Sequence, residues 1–299
     1  MERKNSEMRR VRFKQVDVFT RVPFDGNPVA VVLDGAALDD GAMQDIAAWT
    51  NLSETTFVLP PEQAGADYRL RIFTPRRELP FAGHPTVGSA HAILEAGVIQ
   101  PGNGRLLQEC GAGLVELEIL NGTGEPRIMV NSPTPAITSP DRLVPEQLQQ
   151  AMGTTFAPQA RPLLVDVGPR WLVVEFATRE QVQSLMPDLP LLGALSKYHG
   201  ITGITAFGFS DDAGCPVYVR SFAPVEGVPE DPVCGSGNIS VGAYLLRRGL
   251  QEKTGTSYIA NQGRELGRNG YVYVTLDPDT GAVKIGGHAL TCIDGELFC

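Results

Sequence analysis

The sequence predicts an α/β fold made of two similar halves, each with strands around a buried central helix. Three observations carry this: an internal duplication, an uncharged helix in each copy, and alternating strands beside both. ELPFAGHPTVGSAHAILEAG (78–97) and EDPVCGSGNISVGAYLLRRG (230–249) align at a constant offset of 152 residues, with glutamate, proline, two glycines and a leucine in register. Just upstream, RIFTP (71–75) echoes RSFAP (220–224), with a connection three residues longer in the second copy. Two copies in 299 residues denote a duplication, since a solenoid needs several short repeats.

In chain order, RFKQVDVF (12–19) reads as a strand, 39–49 as a helix, and TTFVL (55–59) as a strand rich in β-formers. YRLRIFTP (68–75) alternates apolar and polar residues, turns through a Gly/Pro-rich segment, and leads into a helix after Gly83 that Gly97 stops. GLVELEIL (113–120) and RIMVNS (127–132) complete the first half, and SPTPAITSPDRLVP (132–145) has the composition of a linker. The second half offers helices at 145–152, 179–186 and 190–197, and strands RWLVVEF (170–176), TAFGFS (205–210), VYVRSFAP (217–224) and YVYVTL (271–276). Its main helix follows Gly235 and stops at Gly249. Residues 85–94, His91 aside, and 236–246 carry no formal charge, so each of these helices lacks a solvated face and belongs inside its own half.

Composition narrows the function classes. Lys plus Arg total 25 against 34 Asp plus Glu, a net charge of −9, which disfavours nucleic acid and anionic membranes as partners. No apolar run approaches a membrane span, and the charged N-terminus MERKNSEMRR lacks a signal-peptide core; a cytoplasmic protein is expected, with 1–10 as a disordered leader. Five cysteines (110, 215, 234, 292, 299) form an odd, unevenly spaced set, suggesting neither a disulfide framework nor a metal site.

Candidate chemistry gathers at the two repeated turns. A helix start offers unpaired N–H groups and the positive end of the helix dipole, and Gly83 and Gly235 let a ligand approach the backbone. Two such starts facing each other would suit a small carboxylate-bearing molecule. His84 follows Gly83, Glu230 and Asp231 precede the second turn, and Ser236 opens the second helix. GSGN lacks the third glycine of a dinucleotide fingerprint, and CGSGN is not a G-x-S-x-G elbow, so neither a Rossmann site nor a serine hydrolase is indicated. Asn51 and Glu54 mimic a capping box, but the strand-forming residues after Glu54 leave no helix to cap. A carboxylate entering a strand beside an apolar run is easily desolvated, the setting in which such groups serve as acids and bases. Aligning the halves near Phe57 and Phe207 places Glu54 opposite Ile204, so only one half carries this carboxylate.

DVFTRVPFDGNPVAVV, NLSETTFV, FTPRRELPFAGHPTVGSAHAI, EDPVCGSGN and NQGRELGR, in this order and spacing over roughly residues 13–270, resemble the phenazine-biosynthesis PhzF family. The resemblance implies the diaminopimelate-epimerase-like fold: two pseudo-symmetric α/β (α+β) domains, each a barrel-like, mostly antiparallel sheet around a central helix. The domains expected are 11–131 with a C-terminal strand at about 288–299, and 132–287. It further implies a cofactor-independent isomerase, often a homodimer, with its site between the domains.

Racemases of this fold use a cysteine at each helix start. Cys234 resembles the second, but its partner position is Ala82, so a two-cysteine mechanism is closed to this chain. The family pattern instead implies that Glu54 moves a proton between carbons of the substrate. It implies that His84 and Asp231 serve catalysis by binding or polarising the substrate, and that Ser53, Gly83, Gly235, Ser236 and Cys234 contribute to binding it. In the named family member the substrate is trans-2,3-dihydro-3-hydroxyanthranilate. The turn around Cys234 departs from that enzyme, which has threonine there. Two alternatives remain: a single-cysteine racemase, epimerase or lyase with Cys234 as the base, paired with Glu54 or His84 and favoured by the thiolate-stabilising helix start, and a non-catalytic small-molecule binder of the same fold.

Overall fold

Two strand–helix–strand crossovers in each half decide where the helices lie, because parallel neighbours in a sheet need a long connection between them. The structure is a computed structural model that describes residues 8–121, 126–132, 134–141, 143–156 and 161–299. Strand Arg10–Val18 pairs antiparallel with Asn27–Val32, which runs parallel to Thr55–Leu59 through the helix Asp40–Thr50. Thr55–Leu59 pairs antiparallel with Tyr68–Phe73, which runs parallel to Arg105–Cys110 through the helix Gly83–Glu95. Gly113–Leu120 and Arg127–Asn131 follow, both antiparallel.

The second half repeats this series as Leu163–Asp166, Arg170–Phe176, Gly203–Phe209, Val217–Ala223, Ser257–Gln262, Gly270–Leu276 and Val283–Gly287, with the same alternation of directions. The helices Arg179–Gln183 and Leu189–His199 make its first crossover, and Gly235–Arg248 the second. The two series meet where Arg127–Asn131 pairs antiparallel with Val283–Gly287, with Asn131 opposite Lys284 and Ile128 opposite Gly287. After its last strand each half sends the chain across to the other. Ala136–Thr138 pairs with Leu163–Asp166, and Ala289–Phe298 with Arg10–Val18. Mostly antiparallel, pseudo-symmetric sheets around central helices are therefore the fold.

The helix between Gly83 and Glu95 is buried continuously from Gly83 to Ile93, and its counterpart from Gly235 to Leu245 except at Ser236. This is the environment their lack of charge requires. Left-handed glycines end both, Gly97 at φ 65° and Gly249 at φ 66°, where a Cβ would be strained. The other crossover helices cover the outer faces: Met43, Ile46 and Ala47, spaced at i, i+3 and i+4, pack with Val32, Phe57 and Phe73. Among the described residues no helix is long and apolar enough to cross a membrane.

The segment read as a linker contains the strand Ala136–Thr138, and the helix Pro145–Met152 starts at its end; Pro133 and Arg142 lie outside the described residues. In the expected leader, Arg9 exchanges backbone hydrogen bonds with Cys299 and the first strand begins at Arg10, while residues 1–7 lie outside the described residues. Strands at 27–32, 105–110, 163–166, 257–262 and 283–287 were not anticipated. Two of these, 105–110 and 257–262, are the parallel partners that each central crossover demands.

Candidate active site

The two central helices meet head to head. A Cβ added to Gly235 would lie 3.3 Å from the His84 backbone nitrogen and 3.5 Å from Gly83 Cα, so the helix starts touch through glycine. Ile285 from the strand at the seam fills the space beside both, its Cδ1 3.1 Å from either added Cβ. Ala82 and Cys234 occupy the same N-cap position of their helices, as the repeat offset requires. Only Cys234 caps: its Sγ accepts from the Gly237 N–H at 3.3 Å.

Glu54 stands at the mouth of the strand Thr55–Leu59, just after Asn51 ends the preceding helix in the left-handed conformation at φ 54°. Its Oε2 lies 3.4 Å from His84 Nε2, with the carboxylate side chain 15% exposed and the imidazole 5%. His84 also makes a hydrogen bond with the Pro28 backbone. Burial pushes the imidazole below its ordinary pKa, against the opposing pull of Glu54.

Asp231 arrives from the other half. Asn27 Nδ2 donates to Asp231 Oδ1 at 2.9 Å and to the Val233 carbonyl at 3.0 Å, and lies 3.5 Å from His84 Nδ1. The Val233 N–H also donates to Asp231 Oδ1, at 3.0 Å. Burial first, and the neighbouring Glu54 charge second, push the Asp231 carboxyl up to about 7. Gln262 fixes the turn from behind: its Oε1 accepts from the Cys234 N–H at 3.1 Å and its Nε2 donates to the Asp231 carbonyl at 2.9 Å.

The site residues named from the sequence thus converge: Glu54, His84 and Asp231 form one cluster beside Gly83, Cys234 and Gly235. Ser53, Glu54, Asp231 and Ser236 keep partial exposure, while His84 and Cys234 are buried. Glu230 is drawn away, held by Arg220 through two hydrogen bonds of 2.8 Å. The thiol behaves opposite to the expectation from its helix start. Burial, reinforced by the Asp231 charge, pushes Cys234 well above the ordinary cysteine value, so the thiol form dominates.

The register also moves Glu54 by one place. Thr55 faces Phe73 and Ile204 faces Phe222, the matching phenylalanines of RIFTP and RSFAP, so the counterpart of Glu54 is Gly203. A Cβ there would overlap the Phe222 carbonyl oxygen, which excludes a second carboxylate. Asn27, Gln262 and Trp171 were missed as site residues. Asn27 and Gln262 lie inside DGNPVAVV and NQGRELGR, yet nothing in those segments alone reveals that their amides reach the opposite turn.

Comparison with known proteins agrees with this fold. The model for phenazine biosynthesis-like proteins, PhzC-PhzF, matches residues 16–295. A fission yeast (Schizosaccharomyces pombe) protein named antisense-enhancing sequence 1 is 43% identical, covering 96% of this chain and 98% of its own. The trans-2,3-dihydro-3-hydroxyanthranilate isomerase of Pseudomonas fluorescens is 35% identical, covering 94% and 97%. The crystal structure of a Bacillus anthracis PhzF-family phenazine biosynthesis protein superposes with a TM-score of 0.84 at 27% identity, over 98% of this chain and all of that one. With its duplicated fold, its head-to-head helices and this match along nearly its whole length, the chain belongs to the phenazine biosynthesis-like family, PhzC-PhzF.

Proposed function

We propose that the protein is a cofactor-independent isomerase that moves a proton between carbons of a small carboxylate-bearing substrate, with Glu54 as the general acid and base. The observation that carries this reading is the Glu54 carboxylate, 15% exposed and 3.4 Å from His84, at the junction of two buried helix starts. A lone carboxylate can take a proton from one carbon and return it to another on the same face, provided the intermediate carbanion is delocalised. A dienol acid meets that condition. The N–H groups at Gly83 and Gly235 supply an anchor for its carboxylate, which holds the reacting carbons against Glu54.

Neutral His84 packs its Nε2 against the Glu54 carboxylate at 3.4 Å and holds it in place. Asp231, held near neutrality and tied to Asn27, donates a hydrogen bond to the substrate when protonated. The named activity of the Pseudomonas fluorescens relative supports the substrate class, and a dihydro-hydroxyanthranilate is the first compound to try. The elevated Cys234 thiol weakens the alternative of a single-cysteine base.

Glu54→Gln tests the assignment. In deuterated water, wild-type protein given trans-2,3-dihydro-3-hydroxyanthranilate or related unsaturated carboxylic acids is expected to place deuterium on a substrate carbon. The variant is expected to lose at least about 10³-fold in this exchange while its melting temperature and ligand affinity hold. Undiminished exchange in Glu54→Gln sinks the assignment.

A further inference from the structure

The two helix starts also differ in what holds the second residue of each helix. In the second half, Trp171 Nε1 donates to Ser236 Oγ at 3.0 Å. Ser236 occupies the position that His84 holds in the first helix, and it is the one partly exposed residue between Gly235 and Leu245. Trp171 is only 3% exposed and sits in register beside Gly203, the counterpart of Glu54. In the first half the matching position is Val29, since Ala30 faces Thr55 as Leu172 faces Ile204. The half that lacks the carboxylate therefore carries an indole, and the half with the carboxylate carries valine.

An indole N–H can only donate. It occupies a lone pair of the Ser236 oxygen and leaves the hydroxyl proton to be given elsewhere. The neighbour in reach is Cys234 Sγ at 3.6 Å, a weak acceptor that already receives the Gly237 N–H. A carboxylate oxygen arriving at the helix start is a far better acceptor for that proton. We infer that Trp171 is a positioning residue that fixes Ser236 as a hydrogen-bond donor and so selects an anionic carboxylate at the second helix start. This rests on the reading of the helix starts as the carboxylate-holding side of the site, and it does not depend on Glu54 being the acid/base.

The chain has two tryptophans, and the other, Trp49, is exposed, so indole resonances report the site without an activity assay. The probes are benzoate and its neutral isostere benzamide, titrated into full-length protein and followed by the two indole N–H signals. Benzoate is expected to shift the Trp171 signal saturably while the Trp49 signal stays in place, and benzamide to bind at least about tenfold more weakly. Ser236→Ala is expected to remove the saturable shift.

Trp171→Phe, which keeps a buried ring but loses the donor, is expected to weaken benzoate binding about 5- to 30-fold by calorimetry. In the Ser236→Ala background the same change is expected to have no further effect. Additive losses from the two substitutions, equal affinity for benzoate and benzamide, or no saturable shift with benzoate each overturn the inference. Glu54→Gln, which removes a negative charge from the cluster, should bind benzoate at least as tightly as wild type and keep its preference over benzamide, which separates failure here from failure of the proton-transfer assignment.

Discussion

At the residue scale the site is a set of unequal pairs. In the repeat Glu54 corresponds to Gly203, His84 to Ser236 and Ala82 to Cys234, so a duplicated framework holds a one-sided cluster. Asp231 shows what this arrangement costs. Its carboxyl is protonated below pH 4 whether the chain is folded or not. Above 7 it is ionised in both states, and only the folded state then bears a buried charge beside Glu54. Its contribution to stability is therefore fully present at low pH and is lost as pH climbs from about 4 through about 7. Raising a carboxyl from 3.8 to about 7 corresponds to about 4 kcal/mol, less the part that solvent at its exposed edge recovers. Asp231→Asn keeps an oxygen to accept from Asn27 and Val233. It is expected to melt about 5 °C or more above wild type at pH 8, to match it near pH 4, and to lose turnover. Equal melting temperatures at pH 8 would show that Asp231 carries no such burden.

The central helices are the elements that make those pairs meet. Their burial follows from their composition, but their contact follows from glycine at both starts. Gly235→Ala improves helix propensity by up to about 1 kcal/mol while pressing a Cβ against the His84 backbone nitrogen and Ile285. The expected outcome is a melting temperature within about 3 °C of wild type and a turnover reduced about tenfold or more, because the spacing between helix starts sets the geometry of the cluster. Unchanged turnover would mean that this spacing is not critical. The central and outer helices were legible as elements in the sequence, from periodicity and glycine stops. Strands such as 105–110 and 257–262 were not, because RLLQEC and SYIANQ lack a long apolar alternation and owe their extended form to the parallel neighbours they join.

For the whole molecule, the crossing over of the chain after each half matters most. Ala289–Phe298 closes the open edge of Arg10–Val18, and Asp294 supplies one of two carboxylates around the buried Lys14 Nζ, at 2.7 Å beside Glu95 at 2.8 Å. A chain ending at Gly287 exposes that strand edge and leaves Lys14 with one partner. It is expected to aggregate or to elute as an expanded species in size-exclusion chromatography, and a monodisperse, fully active truncation would contradict this.

The duplication, the buried helices, the fold class and the candidates Glu54, His84, Asp231 and Ser236 were legible in the chain, because each leaves a local mark: a repeat, a missing charge, a glycine stop, a motif. The one-residue shift that makes Gly203 the counterpart of Glu54, the reach of Asn27 across to Asp231, the bond from Trp171 to Ser236 and the raised Cys234 thiol were decided by tertiary structure. Each depends on strand register or on burial between distant segments, and neither register nor burial is a property of the residues taken along the chain.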